Sequence, residues 1–476
     1  AELFIRATSS GTASNYRVVG IIDDDNSLIG RNIRGVRILG SGSQLPEITK
    51  ELKLRGIQPQ RLILTFKAEP EWLRKLLAAA NGQGLPLSRL PKLTDFRNQE
   101  SEQIEIQPVA IEDLLGRAQA SLDLESVRQL VKGRNICVTG AGGTIGSEIC
   151  IQLMDFEPAC LILIDNSEYN LYSIEQTLIK NNQNIPIKLY LRDVRDRAKI
   201  DDVFLAEKPD VVFHAAALKH VPMVETNPNE GVLTNIVGTL NIADACIDFK
   251  VKVMVLISTD KAVNPTNIMG ATKRVAESYC QALGLSSQND DDPTRIVTVR
   301  FGNVLGSSGS VVPLFQKQIA QGGPVTVTDK NVTRYFMTSR EAVQLVLQAS
   351  ARKTIEIYDE LYVLDMGEPI KIDDLARQMI RLAGYTPDLD IEITFTGLRP
   401  GEKMFEELFH GGEPPTPTGT PGVLRAKTRL SDLSQIRKEI DHIKVAALKG
   451  KTEETLLIIS QLVPEYQPTL PEKTSS

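Results

Sequence analysis

The five cysteines, at 137, 150, 160, 246 and 280, form no closely spaced pair, which removes a disulfide framework and a zinc site from consideration and suits a reducing cytoplasm. Cys280 has no His beside it to activate a thiol and is assigned to the core. No apolar run approaches the length of a bilayer span, and no basic-then-apolar signal pattern opens the chain. Basic excess is missing too: 54 Lys and Arg against 60 Asp and Glu leave a net charge of −6, which argues against nucleic acid or an anionic membrane as the main partner. There is no internal repeat. What remains is a composition of 42% hydrophobic and 24% charged residues in 476, ordinary for a globular protein and too long for one core. The chain begins AELFIRAT without an initiator Met and with a helical pattern under way, so upstream sequence is expected, and membrane attachment through it stays open.

Residues 1–97 alternate helix-like and strand-like runs: YRVVGIIDDD, GVRILG, a helix near 44–54, RLILTF and a helix near 70–81. This predicts a small parallel α/β domain. Asp23–Asp25 end a strand where a nucleotide-binding fold often places an acid, but the Gly-rich turn before the first helix is absent, so a truncated Rossmann-like unit with a structural or regulatory role is favoured over a ligand site. Residues 98–132 form a connector with an amphipathic helical stretch near 122–131. From residue 133 to about 430, six strands (NICVTG, CLILID, IKLYLRD, DVVFHAAA, VMVLIST, RIVTVRFGN) alternate with helical spans, predicting a doubly wound parallel sheet followed by a smaller substrate-binding lobe. GGEPPTPTGTPG at 411–422 is expected to be a loop, and 431–476 a helical extension with a polar tail.

TGAGGTIG sets Gly140, Gly143 and Gly146 between a strand and a helix beginning at Thr144 and Ile145. Those glycines allow a tight turn, close approach of backbone to a pyrophosphate, and close helix–sheet contact. Free N–H groups at the helix start would hold the pyrophosphate. Asp165 ends the next strand about 20 residues further on, where a carboxylate accepts hydrogen bonds from the adenosine ribose. Asn166, Ser167 and Glu168 follow it, with no cation for a 2′-phosphate. NAD is therefore expected in preference to NADP.

VMVLISTDKAVNPTNIMGATKRVAES, at 253–278, presents Thr259, Asp260, Lys261 and Lys273 around Met269. Together with the glycine turn it resembles the extended short-chain dehydrogenase/reductase family, in which a strand-end Ser or Thr faces a Tyr-x-x-x-Lys helix and the Tyr moves the substrate hydroxyl proton. Met269 stands at that Tyr position, and a thioether is no acid or base. The resemblance therefore shifts the proton chemistry to Asp260 and Lys261 and points to elimination. HAAALKHVPMVE, RFGNVLGSSGSVVPLF, VTRYFMT and GLRPGEK narrow it, over about residues 15–430, to a likeness with retaining UDP-N-acetylglucosamine 4,6-dehydratases of polysaccharide biosynthesis. That likeness implies a UDP-sugar substrate, a homo-oligomer, and a parent protein on the cytoplasmic side, anchored in the inner membrane by sequence outside this chain.

The same resemblance implies the site. Asp193 and Val194 correspond to the adenine contact, Ala215, Ala216, Ala217 and Lys219 to the segment beside the nicotinamide ribose, and Lys273 to the ligand of the ribose hydroxyls. Lys261 is taken as the C5 base, on condition that desolvation and the charge of Lys273 or the cofactor lower its pKa. Asp260 is taken to accept the O4 proton and protonate the C6 hydroxyl, with help from Thr259 or water. Asn303, Val311 and Phe315 correspond to sugar-diphosphate and uracil contacts, and Arg334 with an Arg399/Glu402 pair to diphosphate and ribose contacts. No metal is implied. A nucleotide-sugar epimerase or reductase, and a non-catalytic NAD-binding sensor or assembly protein, are the competing readings.

Overall fold

The computed structural model describes residues 1–9, 16–66, 68–90, 106–109, 111, 113, 123–181, 184–288, 291–352, 360–411, 415–427, 429 and 431–468. CLILID is apolar or buried at every position, without the alternation of a half-exposed strand, the mark of a strand covered on both faces. Such runs make the centre of the main sheet, with more exposed strands at its edges: β1 (Asn135–Thr139), β2 (Cys160–Asp165), β3 (Ile187–Leu191), β4 (Val211–His214), β5 (Val253–Thr259), β6 (Arg295–Phe301), β7 (Glu360–Leu364), β8 (Thr416–Pro417) and β9 (Val423–Ala426). Their order is β8-β9-β7-β6-β5-β4-β1-β2-β3. The first seven run parallel; β9 pairs antiparallel to β7, and β8 to β9. The chain leaves β1 towards β2 and β3, then returns to β4 on the other side, so a crevice opens at the C-terminal ends of β1 and β4.

Helices cover both faces, as the doubly wound expectation requires. On one side lie α1 (Thr144–Leu153), α2 (Glu168–Asn181), α6 (Ser339–Ala351) and the helix Leu124–Val131, with Val127, Leu130 and Val131 in the same apolar cluster as β1 and β6. Opposite are α3 (Arg197–Glu207), α4 (Gly238–Asp248), α5 (Ile268–Ser287), α7 (Leu433–Leu448) and α8 (Thr452–Leu462). The predicted C-terminal extension is thus part of the core. Ile436, Ile440 and Ile443, on one helical face, join Ile458 and Ile459 against α4 and α5. Arg437 donates to both oxygens of Asp244 on α4, at 2.9 and 2.7 Å, and to the hydroxyl of Tyr279 on α5.

Of the main sheet, β7, β8 and β9 were not foreseen. β7 is five residues long, and a short apolar run cannot be told from a helical fragment by periodicity. β8 lies inside the expected loop at 411–422, where its Pro is tolerated because the strand is at the sheet edge.

Contacts divide the chain differently from the expected boundaries at 97 and 430. One compact unit holds Ala1–Ala118, Val311–Lys330 and Ile372–Thr396; the other holds Gln119–Ser310, Asn331–Lys371 and Gly397–Ser476. A linear pattern cannot show which core a later segment joins. In the first unit the helices Leu45–Leu54 and Pro70–Gly82 occur as expected, and Ile21–Ile22 pairs parallel with Val36–Gly40. Of YRVVGIIDDD only those two isoleucines are strand. Asp24 accepts the Gly42 N–H at 2.7 Å and bonds the Trp72 indole N–H, so this acid holds its own loop together. Val325–Val327 pairs with Ile393–Phe395 beside the helices Val311–Ala320 and Ile372–Leu382. No described helix is long and apolar enough to cross a membrane.

Beneath the ends of β5 and β6, Arg300 makes two bonds to Glu277 of α5, at 2.8 and 2.7 Å, and Ser258 donates to the same carboxylate at 2.5 Å. Both charged side chains are 1% exposed. Removing one partner of such a pair strands the other in a dry interior. Glu277→Ala should cost about 3–5 kcal/mol in urea unfolding. The exposed pair Lys75–Glu71 gives the contrast, since Lys75→Ala should leave the urea midpoint nearly unchanged.

Candidate functional site

Two groups of side chains meet at the C-terminal ends of the parallel strands. The first is the glycine turn between β1 and α1. Gly140 has φ +65°, and a Cβ there would lie 2.7 Å from the Ala216 backbone; at Gly146 it would lie 2.0 Å from the Gly140 carbonyl. At Gly143 it would meet nothing nearer than 3.3 Å, so this glycine leaves its outer side open at the start of α1. Thr144 and Ile145, the first residues of that helix, are half-buried. Asp165 ends β2 as expected, and its carboxylate accepts the N–H groups of Gly142 at 3.0 Å and Ser167 at 2.9 Å. The acid therefore also pins the glycine turn, a role its spacing did not reveal.

Asp193, just beyond β3, is bound by the backbone N–H and guanidinium of Arg195 and by the Asn166 side chain. Burial would raise its carboxyl, but Arg195 outweighs burial and holds it below the usual range. Val194 is buried against Gly238. Ala215 is bonded through its N–H to the Thr139 carbonyl, and Ala216, Ala217 and Lys219 continue outwards from β4 along the crevice.

The second group is carried by the turn after β5. The Thr259 hydroxyl donates to Asp260 Oδ1 at 2.9 Å. Lys261 Nζ lies 3.1 Å from the same oxygen, 3.3 Å from Asn303 Oδ1 and 3.4 Å from Glu406 Oε1. Glu406 is 3.5 Å from Arg334 Nε, while Arg334 Nη2 donates to Glu402 at 2.8 Å. Asp260 Oδ2 and Glu406 Oε2 are buried with no hydrogen-bond partner among the described residues. Space for Asp260 comes from Gly302, where a Cβ would stand 2.9 Å from Oδ2.

Burial pushes the Asp260 carboxyl up; Lys261 opposes this, Glu406 adds to it, and the result is a raised value. For Lys261, burial would lower the ammonium, but Asp260 and Glu406 outweigh burial and hold it above the ordinary lysine range. The expectation of a lowered Lys261 pKa is corrected on this point, because two carboxylates face the amine from one side while Lys273 is not among the groups that move it.

Helix α5 supplies the third side. Gly270 is required there, since a Cβ would lie 2.1 Å from the Lys261 carbonyl. Met269 is buried in the apolar cluster shared by α4 and α5. Lys273, one turn later, is also buried, and its ammonium is pushed down to about 8 by burial, with Glu277 pulling the other way.

A polar chain joins this helix to the glycine turn. His214, at the end of β4, lies 2.7 Å from Thr139 Oγ1 and 3.0 Å from Thr239 Oγ1, and Thr239 donates onward to the Asn235 carbonyl. That order makes Nε2 the protonated nitrogen of a neutral imidazole, in keeping with a pKa pushed down to about 3 by burial and by Lys273. Asn235, in the π-helical turn Val232–Val237, donates to Thr272 Oγ1 at 3.0 Å, and Thr272 donates to the Met269 carbonyl at 2.7 Å.

The structure brings Thr259, Asp260, Lys261, Asn303, Arg334 and Glu402 into one cluster. It does not give Arg399 to Glu402 as a side-chain pair: Arg399 is exposed and offers only its backbone N–H, at 3.2 Å, while Arg334 takes the carboxylate. Arg334 has the shorter approach because its strand lies beside the loop and its Nη1 also donates to the Met404 carbonyl at 3.3 Å. Val311 and Phe315 belong to the other compact unit, with Phe315 fully buried. Glu406 was missed. It stands in MFEEL among residues with no periodic signal, and only the fold shows that it is buried while Phe405 before it is exposed.

Residues 136–428 match the family described as polysaccharide biosynthesis protein. The chain is 41% identical over 444 residues to the capsular polysaccharide biosynthesis protein CapD of Staphylococcus aureus, covering 93% of this chain and 72% of that one. It is similar, at 35% over 279 residues, to the inverting UDP-N-acetylglucosamine 4,6-dehydratase of Campylobacter jejuni, with 58% of this chain and 78% of that one covered. It is also similar, at 31% over 324 residues, to UDP-glucose 4-epimerase of Rickettsia typhi, with 67% and 90% covered.

Lys273 should impose a cost on folding that depends on pH. Its pKa falls from 10.5 to about 8 on burial, so between those values the unfolded chain holds a proton that the folded chain has lost, and stability rises with pH across that window. Lys273→Met should therefore be the more stable protein below pH 8, by on the order of 3 kcal/mol, and the advantage should shrink towards pH 10.5. Urea unfolding of both proteins at several pH values checks this.

Proposed function

We propose, from the premise that the chain belongs to the polysaccharide biosynthesis protein family, that it is an NAD-dependent dehydratase that converts UDP-N-acetylglucosamine to its 4-keto-6-deoxy product. The observation that carries this reading is the strand-end pair Asp260–Lys261, with an unpaired buried carboxylate oxygen, beside a helix whose position 269 is an inert, buried Met. The residues fit the cofactor: a turn whose first and third glycines leave no room for side chains, a helix that starts directly after the second of them, and an acid at the end of β2. NAD held there would supply the hydride acceptor for sugar C4 and the donor for C6.

The protein's own groups handle the protons. Asp260 as carboxylate takes the O4 proton, leaving the C4 ketone that acidifies C5–H. Lys261 as free amine takes the C5 proton. Asp260 then gives its proton to the departing C6 hydroxyl, which leaves as water, and Lys261 returns a proton to C5. One water is lost and no NAD is consumed. Thr259, bonded to Asp260, orients the carboxylate, and Lys273 holds the ribose. Asn303, bonded to Lys261, and Arg334, beside Glu406, would contact the diphosphate-linked sugar, and exposed Arg399 the nucleotide.

An epimerase is the second reading, favoured by the likeness to UDP-glucose 4-epimerase. It needs no base for C5, which is the function left to Lys261.

Incubation with UDP-N-acetylglucosamine should yield a product lighter by one water in mass spectrometry without stoichiometric NADH. A product of unchanged mass would favour the epimerase. Lys261→Ala should abolish exchange of the C5 proton with deuterated solvent and lower turnover by on the order of a hundredfold to ten-thousandfold. NAD should also bind more tightly than NADP in a titration, because the Asp165 carboxylate repels a 2′-phosphate; tighter NADP binding would overturn that assignment.

A further inference from the structure

Lys261 has three N–H groups as an ammonium, and the protein sets three oxygens within 3.4 Å of its Nζ: Asp260 Oδ1, Asn303 Oδ1 and Glu406 Oε1. Held in this way the nitrogen offers a substrate neither a lone pair nor a free N–H. Asp260 is adjacent in sequence and Asn303 is uncharged, so the arrangement turns on Glu406, brought from more than a hundred residues away. Glu406 is 3% exposed at its side chain, and its other oxygen has no hydrogen-bond partner among the described residues. A carboxylate is costly at such a depth without compensation. Its compensation is Lys261 together with Arg334 at 3.5 Å.

We propose that Glu406 is a positioning residue that keeps Lys261 as a locked ammonium in the substrate-free protein, so that the amine becomes a base only when its contact with Glu406 is given up. This rests on the reading of Lys261 as the C5 base. The charged groups facing Lys261 are Asp260 on its own turn, Glu406, and Arg334 on the neighbouring strand; Lys403 acts on Glu406 and bonds the Val263 carbonyl at 2.9 Å. Taking away the Glu406 charge leaves burial opposed by Asp260 alone, which lowers the hold on the proton. Glu406→Gln keeps the shape and an acceptor oxygen but removes the charge. Glu406→Asp keeps the charge.

The test measures the amine directly. Full-length protein is labelled with trace acetic anhydride across a range of pH, and the extent of reaction at Lys261 is read by mass spectrometry against exposed lysines of the same sample. Glu406→Gln should label Lys261 on the order of tenfold faster at pH 7, with its titration moved to lower pH, and Glu406→Asp should stay near the unmodified protein. In the dehydration assay the alkaline rise of turnover should move to lower pH in Glu406→Gln. A merely structural role would lower turnover at every pH and leave the profile in place. Unchanged labelling in Glu406→Gln, or equal changes in Gln and Asp variants, overturns the inference. Shifted labelling in a protein that dehydrates no UDP-N-acetylglucosamine leaves the role of Glu406 standing and removes the proposed reaction instead.

Discussion

The backbone of α5 lies against the turn after β5 so closely that position 270 cannot carry a side chain. That contact fixes the turn bearing Asp260 and Lys261 against the helix bearing Lys273, and it is held from several directions. Asn267 caps the helix through the Gly270 N–H at 2.8 Å, Glu225 takes the Ile268 N–H at 2.7 Å, and Thr272 bonds back to Met269. Buried bonds of this kind give an element one position rather than several, because each alternative leaves a polar group unpaired in a dry interior.

Charge inside that interior is treated in two ways. Glu277 and Arg300 satisfy one another with two short bonds, and Ser258 completes the carboxylate; this pair supports β5 and β6 from below and has nothing left over. Asp260, Lys261 and Glu406 are arranged differently. Two carboxylates share one ammonium, and each carboxylate keeps an oxygen without a hydrogen-bond partner among the described residues. A structural pair has no need of spare acceptors, whereas a site that must take and release protons does. The difference between the two clusters is the physical ground for reading the upper one as reactive.

Lys273 follows the same logic at lower occupancy. Its ammonium is buried and easily lost, a poor arrangement for stability and one that suits the ribose-binding role proposed for it. His214 is the opposite case: a histidine at the centre of the fold, locked neutral by two threonines, that carries position from the glycine turn to α5 through Asn235 and Thr272.

Short-range regularities were legible in the chain itself. Period and apolar content marked β1 to β6 and the helices between them, because a buried parallel strand is apolar throughout whatever surrounds it. The glycine turn and Asp165 were legible because their spacing is set by local geometry. Asp260, Lys261 and Met269 stood out for the same reason, being neighbours in sequence or one helical turn from Lys273. What only the tertiary structure decided was everything requiring distant segments to meet. Residues 311–330 and 372–396 group with the first hundred residues, α7 and α8 close the core over α4 and α5, and Glu402 turns to Arg334 rather than Arg399. Above all, the share of Glu406 in the protonation of Lys261 could not be inferred from the chain. Burial and opposite charge push a lysine in contrary directions; Asp260, its sequence neighbour, is the larger of the two carboxylate effects that outweigh burial, and the second comes from Glu406, a carboxylate that no spacing rule connects to the turn it faces.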